Sequence, residues 1–180
     1  YSSTAVKMLF KSSEDKGLTL LITQEHIILD AKNGRKMEEI KVMTADNLEE
    51  ILLFETERLE GEALEREIAS WHAPWRKEAL NHYLPLGWSF LKKKDGKIMG
   101  YVLCQPLLFF QGWTQNLWIE HVSAVDHQTG VEMLEIAYRW AKDKHLQKVF
   151  FKEELKYTDL IDFGKKNEAG PLVSMNTTRI

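Results

Sequence analysis

Between Leu117 and Phe151 the hydrophobic period changes twice, and that change restricts the topology available to the whole chain. Leu117 to Val125 is apolar except at Glu120, His121 and Ser123, the pattern of a strand covered on both faces. After the polar turn Asp126-His-Gln-Thr, the residues Met133, Leu134, Ala137, Tyr138 and Ala141 recur at three- and four-residue spacing. They make the buried stripe of a helix that begins at Gly130. Lys142, Lys144 and His145 gather at its far end, where cations suit the helix dipole, so the helix stops near His145. Val149 to Phe151 is then a second strand. A crossover through one helix returns the chain in the same direction, which makes the two strands parallel. The helix start, at the carboxyl end of the first strand, is a place where free amides can hold an anionic group.

A chain of 180 residues, 44% hydrophobic and 28% charged, is enough for one compact domain with a small appendage. Its net charge of −3 argues against a nucleic-acid partner, whose phosphates call for a basic surplus. The single Cys104 leaves no internal disulfide and suits a reducing, cytoplasmic setting. No apolar run approaches the roughly 18 residues that span a bilayer, so no membrane partner is expected.

Residues 1–36 read as an antiparallel meander: Ala5 to Lys11, Leu18 to Thr23 and His26 to Ala31, followed by the hairpin signal Asn33-Gly34. This accessory sheet either packs on the main domain, 37–180, or pairs with a second copy as a homodimer. Glu38 to Met43 is a further strand. A helix follows, with Asp46 and Glu49 spaced as a capping box and Leu48, Ile51, Leu52 and Leu59 on its buried face. A second helix carries Leu64, Ile68 and Trp71 on one side, and Pro74 demands a break at His72-Ala73 before Trp75 to His82 continues. Trp71 and Trp75 read as core or rim packing ahead of a substrate platform.

Gly87 to Leu91 and Ile98 to Gln105 form a hairpin closed by Asp95-Gly96, with four lysines crowded at a solvated tip. Pro106 ends the regular pairing, and Phe109, Phe110 and Trp113 connect to the central strand. A short helix from Glu153 to about Phe163 and a last strand from Leu172 complete the order. The result is an α+β fold: a mixed, mostly antiparallel sheet with one parallel βαβ crossover and an N-terminal β-meander.

The six histidines show no metal-ligand spacing, and no metal site is expected. No nucleophile elbow or Ser-His-Asp spacing occurs. Cys104, in mid-strand, reads as a small core residue. Glu120 and His121 interrupt a buried strand, and neighbouring strand residues point to opposite faces, so one of the two reaches a cleft. Glu120 is placed ahead of His121 as proton acceptor.

From about Glu38 to Met175 the sequence resembles the GNAT superfamily of acyl-CoA-dependent N-acetyltransferases. The pieces stand in the family's order: Glu39-Ile-Lys-Val-Met-Thr-Ala-Asp-Asn-Leu-Glu-Glu as first strand and helix, Asp95-Gly-Lys-Ile-Met-Gly-Tyr-Val-Leu as hairpin with Gly100, and Ser123-Ala-Val closing the central strand. Gly130 precedes Ala141 by eleven residues, as the last glycine of the family's pyrophosphate loop does its alanine, and Gly170-Pro-Leu-Val-Ser-Met resembles the last strands.

The resemblance implies acetyl-CoA or another acyl-CoA as cofactor and a small-molecule or protein amine as acceptor. It implies that Ser123 and Val125 bind the cofactor's arm through backbone groups, and that Gln128, Thr129, Gly130 and Val131 cradle its pyrophosphate. Glu120 becomes the base and Tyr157 the acid for the departing thiolate. The chain departs from the pattern in the loop. Only Asp126-His-Gln-Thr separates Val125 from Gly130, one glycine remains, no loop arginine is present, and Asp126 adds a repelling charge. A GNAT-like module without catalysis, serving binding or assembly, is the alternative.

Overall fold

The computed structural model describes residues 6–8, 18–22, 26–31, 38–152, 154–157, 166–169 and 172–177. Among them, ten strands form one sheet: β1 (Val6–Met8), β2 (Leu18–Ile22), β3 (His26–Ala31), β4 (Glu38–Val42), β5 (Phe90–Lys94), β6 (Lys97–Phe110), β7 (Trp113–Ala124), β8 (Lys148–Lys152), β9 (Lys166–Ala169) and β10 (Leu172–Asn176). In space they follow chain order except that β10 lies between β8 and β9. Every pairing is antiparallel save β7 with β8. The N-terminal meander joins the main sheet, because β3 pairs with β4 through His26↔Lys41 and Ile27↔Ile40.

Helices α1 (Leu48–Thr56) and α3 (Lys77–Tyr83) cover one face of the sheet, packing Ile51, Leu80 and Tyr83 on Leu91, Tyr101 and Leu103. Helix α4 (His127–Asp143) covers the other, packing Met133, Leu134, Ala137 and Ala141 on Phe90, Val102, Leu117 and Ile119. Alternation along β6 divides its side chains between the two cores, Tyr101 and Leu103 to one and Val102 and Cys104 to the other. Helix α2 (Ala63–Trp71) buries nothing.

Several boundaries differ from expectation for identifiable reasons. The cap before α1 is Thr44, whose N–H donates to Asn47 Oδ1 at 3.0 Å, in place of the Asp46 and Glu49 pair. The break after Trp71 extends to Arg76, and Trp75 is buried within it while Trp71 is exposed. Helix α4 begins at His127, three residues before Gly130, because Asp126 caps it. Residues 154–157 form a turn where a helix was expected, and the rest of Glu153 to Phe163 lies outside the described residues, as do parts of Ala5 to Lys11.

Pro106 does not end the hairpin: it pairs with Leu117, and β6 continues to Phe110. The reason lies two residues earlier. Cys104 N–H donates to Ser89 Oγ at 3.0 Å, on the side away from β7, and Pro106 shares that side, so its missing N–H costs no ladder bond.

Three of the four lysines of the β5–β6 hairpin are tied down where a solvated tip was expected, Lys97 alone being exposed as expected. Lys92 is 7% exposed and reaches Glu132 at 2.6 Å and Glu38 at 3.2 Å, Lys93 meets Glu50 at 2.5 Å, and Lys94 meets Glu38 at 2.8 Å. These pairs fasten β5 to β4, α1 and α4.

Gly100 is where β6, β7 and α4 come closest. A Cβ there would stand 2.9 Å from the Ser123 carbonyl oxygen, 3.0 Å from Ala124 Cβ and 3.0 Å from Thr129 Cγ2. Backbone cannot give way as a flexible side chain does, so Gly100→Ala should destabilise the protein by roughly 1–3 kcal/mol, read as a lower urea midpoint at unchanged slope.

Candidate active site

The candidate site begins with one extra residue. Between the pairs Leu103↔His121 and Cys104↔Ile119, β7 advances two residues while β6 advances one, which makes Glu120 the surplus member of a β-bulge. Its neighbours Ile119 and Val122 both lie in the core under α4. Glu120 and His121, however, both face the α1–α3 side: Glu120 meets Tyr83 of α3, and His121 tilts against the Tyr101 ring at 5.9 Å. The expectation that the two point to opposite faces fails, because strict alternation does not survive a bulge, while of the two Glu120 alone lines the cleft.

The same bulge marks the end of the parallel pairing. Ile119↔Phe151 is the last β7–β8 pair, whereas β7 runs on to Ala124. Val125 N–H donates to Met99 C=O at 2.8 Å, which makes Tyr101↔Ser123 and Leu103↔His121 the hydrogen-bonded pairs of the ladder. The backbone groups of Ser123 and Val125 are therefore directed at β6. Those of Val122 and Ala124 face the other side, beyond the last β7–β8 pair, where Arg58 holds the Ala124 carbonyl.

The Glu120 carboxylate is held at both oxygens. Trp118 Nε1–H donates to Oε2 at 2.7 Å and the Tyr83 hydroxyl to the same oxygen at 3.4 Å, while Lys152 Nζ reaches Oε1 at 3.3 Å. Burial, reinforced by the Glu120 charge, pushes the Tyr83 phenol far above its usual range, so it remains a donor. Glu120 lines an open cleft of about 270 Å³ with Pro74, Arg76, Glu78, Ala79, His82 and Tyr83. His121 lies deeper. Its Nε2 is buried without a partner among the described residues, and burial, aided by Lys156 and Arg58, brings its pKa down to about 4.

Arg58, at the end of α1, bonds Ser123 Oγ at 3.0 Å and the Ala124 carbonyl at 2.6 Å, with its guanidinium 4.6 Å from the centre of the Phe54 ring. It brings a cation to the strand end that lacks a loop arginine. At the start of α4, Asp126 Oδ1 accepts from Thr129 N–H at 2.7 Å, and the Thr129 and Gln128 amides hold its carboxyl below the usual range. The Gly130 amide donates to the Asp126 carbonyl at 3.2 Å. The Tyr157 ring covers Gly130 so closely that a Cβ there would lie 2.5 Å from it, and His127 stands 5.5 Å away. Tyr157 itself holds a φ of 69°, unusual for an aromatic residue. Val131 is half-buried in the same turn.

Tyr157 and Glu120 thus lie on opposite sides of β7, one over α4 and one under α3. Tyr83, Trp118, Lys152 and Arg58 are contributors that the sequence reading missed. Trp118 was within reach, since residues two apart on a strand share a face. Arg58 was not, standing 65 residues from Ser123.

Cys104 is fully buried, which raises its thiol pKa and keeps it protonated. Among the described residues no three His, Cys, Asp or Glu side chains converge as a metal site, and no helix is long and apolar enough to cross a membrane.

The state of His121 gives a pH test. Its folded pKa, near 4, lies below the unfolded value of 6.5, so the unfolded chain takes up the proton first as pH falls. This residue's contribution should be complete above about pH 6.5 and decline toward pH 4, by on the order of 3 kcal/mol. Denaturant titrations of His121→Gln should show a flatter acid limb over that window.

No protein-family model and no curated protein sequence matches the chain. Solved structures do. The chain is similar to a PaiA N-acetyltransferase from Thermoplasma acidophilum in complex with coenzyme A, at 13% identity, a TM-score of 0.53, and coverage of 77% of this chain and 98% of that one. A GNAT family acetyltransferase from Brucella melitensis in complex with acetyl-CoA matches at 14% identity and a TM-score of 0.53, over 81% and 91% of the two chains. A putative acetyltransferase from Staphylococcus aureus matches at 11% identity and a TM-score of 0.53, over 77% and 99%. Together with the parallel β7–β8 pair and the crossover helix between its strands, these likenesses establish that the chain has the fold of the GNAT superfamily of N-acetyltransferases.

Proposed function

We propose that the protein is an acyl-CoA-dependent N-acyltransferase that transfers an acetyl or related acyl group to an amine. The observation that supports this most is the end of the β7–β8 ladder at the bulge, with Glu120 lining an open cleft beside it. When bound, the cofactor supplies the thioester whose acyl group is transferred. Val122 and the Ala124 amide present backbone groups suited to the amides of its arm, the Ala124 carbonyl being held by Arg58, and Ser123 and Val125 frame that edge. Gln128, Thr129, Gly130 and Val131 form the helix start at which its pyrophosphate would rest, and Arg58 stands by with a positive charge.

Glu120 is the base. An amine arrives as an ammonium ion and must lose a proton before it can attack, and a carboxylate lining the acceptor cleft is placed to accept it. Trp118 and Tyr83 fix one carboxylate oxygen and leave the other on the exposed Lys152 ammonium, a partner that solvent screens. Tyr157 carries a hydroxyl on the α4 side and is the proton donor for the leaving thiolate.

A second reading rests on the start of α4. There Asp126 already accepts the amides that an anion would use, and Tyr157 covers Gly130. Those contacts favour a GNAT-like module that binds or assembles without catalysis.

Titration calorimetry with acetyl-CoA separates the two. The enzyme reading expects saturable heat, and severalfold tighter binding by Asp126→Asn, which removes a negative charge beside the diphosphate. In the same reading Glu120→Gln lowers turnover roughly 100-fold on the acid side, where a base is most needed. No heat at millimolar acetyl-CoA would leave the module reading in its place.

A further inference from the structure

Helix α2 has no buried residue, and nine residues are too few for a helix to persist in water on propensity alone. Leu64, Ile68 and Trp71 are 65%, 47% and 58% exposed. At about 100° per residue they fall within an arc of roughly 60°, a continuous apolar stripe along one side of the helix. The stripe is flanked by acid. Glu65 lies on one side and Glu67 on the other, with Glu57, Glu60 and Glu62 exposed in the approach. The cations nearby are Arg66 and Arg58, and Arg58 is turned inward to Ser123 and Ala124. The stripe also leads somewhere: Trp71, at its end, is followed by Pro74 and Arg76, which line the cleft over Glu120.

We propose that this stripe docks a basic amphipathic segment of a protein acceptor and delivers a lysine of that segment to the Glu120 cleft. Apolar anchors at helical spacing fit Leu64, Ile68 and Trp71, and flanking cations answer the glutamates. Self-pairing is the poorer match, because a two-fold contact would set acidic rim against acidic rim. The docking step stands on α2 alone. Delivery of the lysine rests on the acyltransferase reading.

The test is fluorescence anisotropy of a labelled 14-residue peptide of leucines at helical spacing with lysines between them, measured without cofactor. Saturable binding is expected, weakened at least tenfold by Ile68→Glu and by Glu67→Lys, unchanged by Leu53→Glu on α1, and absent for the peptide with glutamates in place of lysines. Equal binding by Ile68→Glu, or equal binding of the glutamate peptide, would overturn the proposal. So would self-association in sedimentation velocity that Ile68→Glu abolishes, since it would give the stripe to a second copy. Docking by a protein that binds no acetyl-CoA would uphold this surface and remove the acyltransferase reading instead.

Discussion

A single surplus residue in β7 underlies the site. Had β6 and β7 paired without interruption, Glu120 would have alternated with His121, one into each core. The bulge turns both polar residues toward α1 and α3, and the parallel ladder stops at the same place. A bulge tightens the local twist of its strand. The ladder that holds Leu117↔Val149 and Ile119↔Phe151 stops there, β8 ending at Lys152 while β7 runs on to Ala124. The β7 edge at Val122, beyond the last β8 pair, and the position of Glu120 meet at this one distortion.

Electrostatics at the end of β7 pull against this arrangement. A helix start normally offers free amides, but Asp126 accepts that of Thr129, and Tyr157 packs on Gly130. The fold compensates from a distance, with Arg58 crossing from α1 to the Ala124 carbonyl. An anion here would meet fewer free amides and one negative carboxylate, with one guanidinium close by. On the acyltransferase proposal, that balance governs cofactor affinity, and the β7 edge beyond the bulge offers the seat for the arm.

The crossover was legible because it changes the hydrophobic period over long stretches, and Met133, Leu134, Ala137 and Ala141 are all buried as their spacing requires. The hairpin at Asp95-Gly96 was legible from turn chemistry, and both residues hold positive φ. The bulge was not, since one residue of register leaves no trace in composition. Pro106 misled because its cost depends on which way the missing N–H would point, and that is fixed by Ser89 of a different segment. Lys92 misled in the same way: its partners Glu38 and Glu132 come from β4 and α4. Helix α2 was read correctly as amphipathic, yet its stripe faces outward, a distinction that periodicity alone cannot make.

The central claim, that the β7 edge beyond its last pair with β8 is a seat for an amide-bearing cofactor arm, is tested most directly by backbone amide spectra of the isotopically labelled protein during titration with coenzyme A. The account predicts saturable shifts at Val122 and Ala124, with Ser123, whose amide is spent on β6, moving less. Unmoved resonances at Val122 and Ala124 under saturating coenzyme A would contradict it.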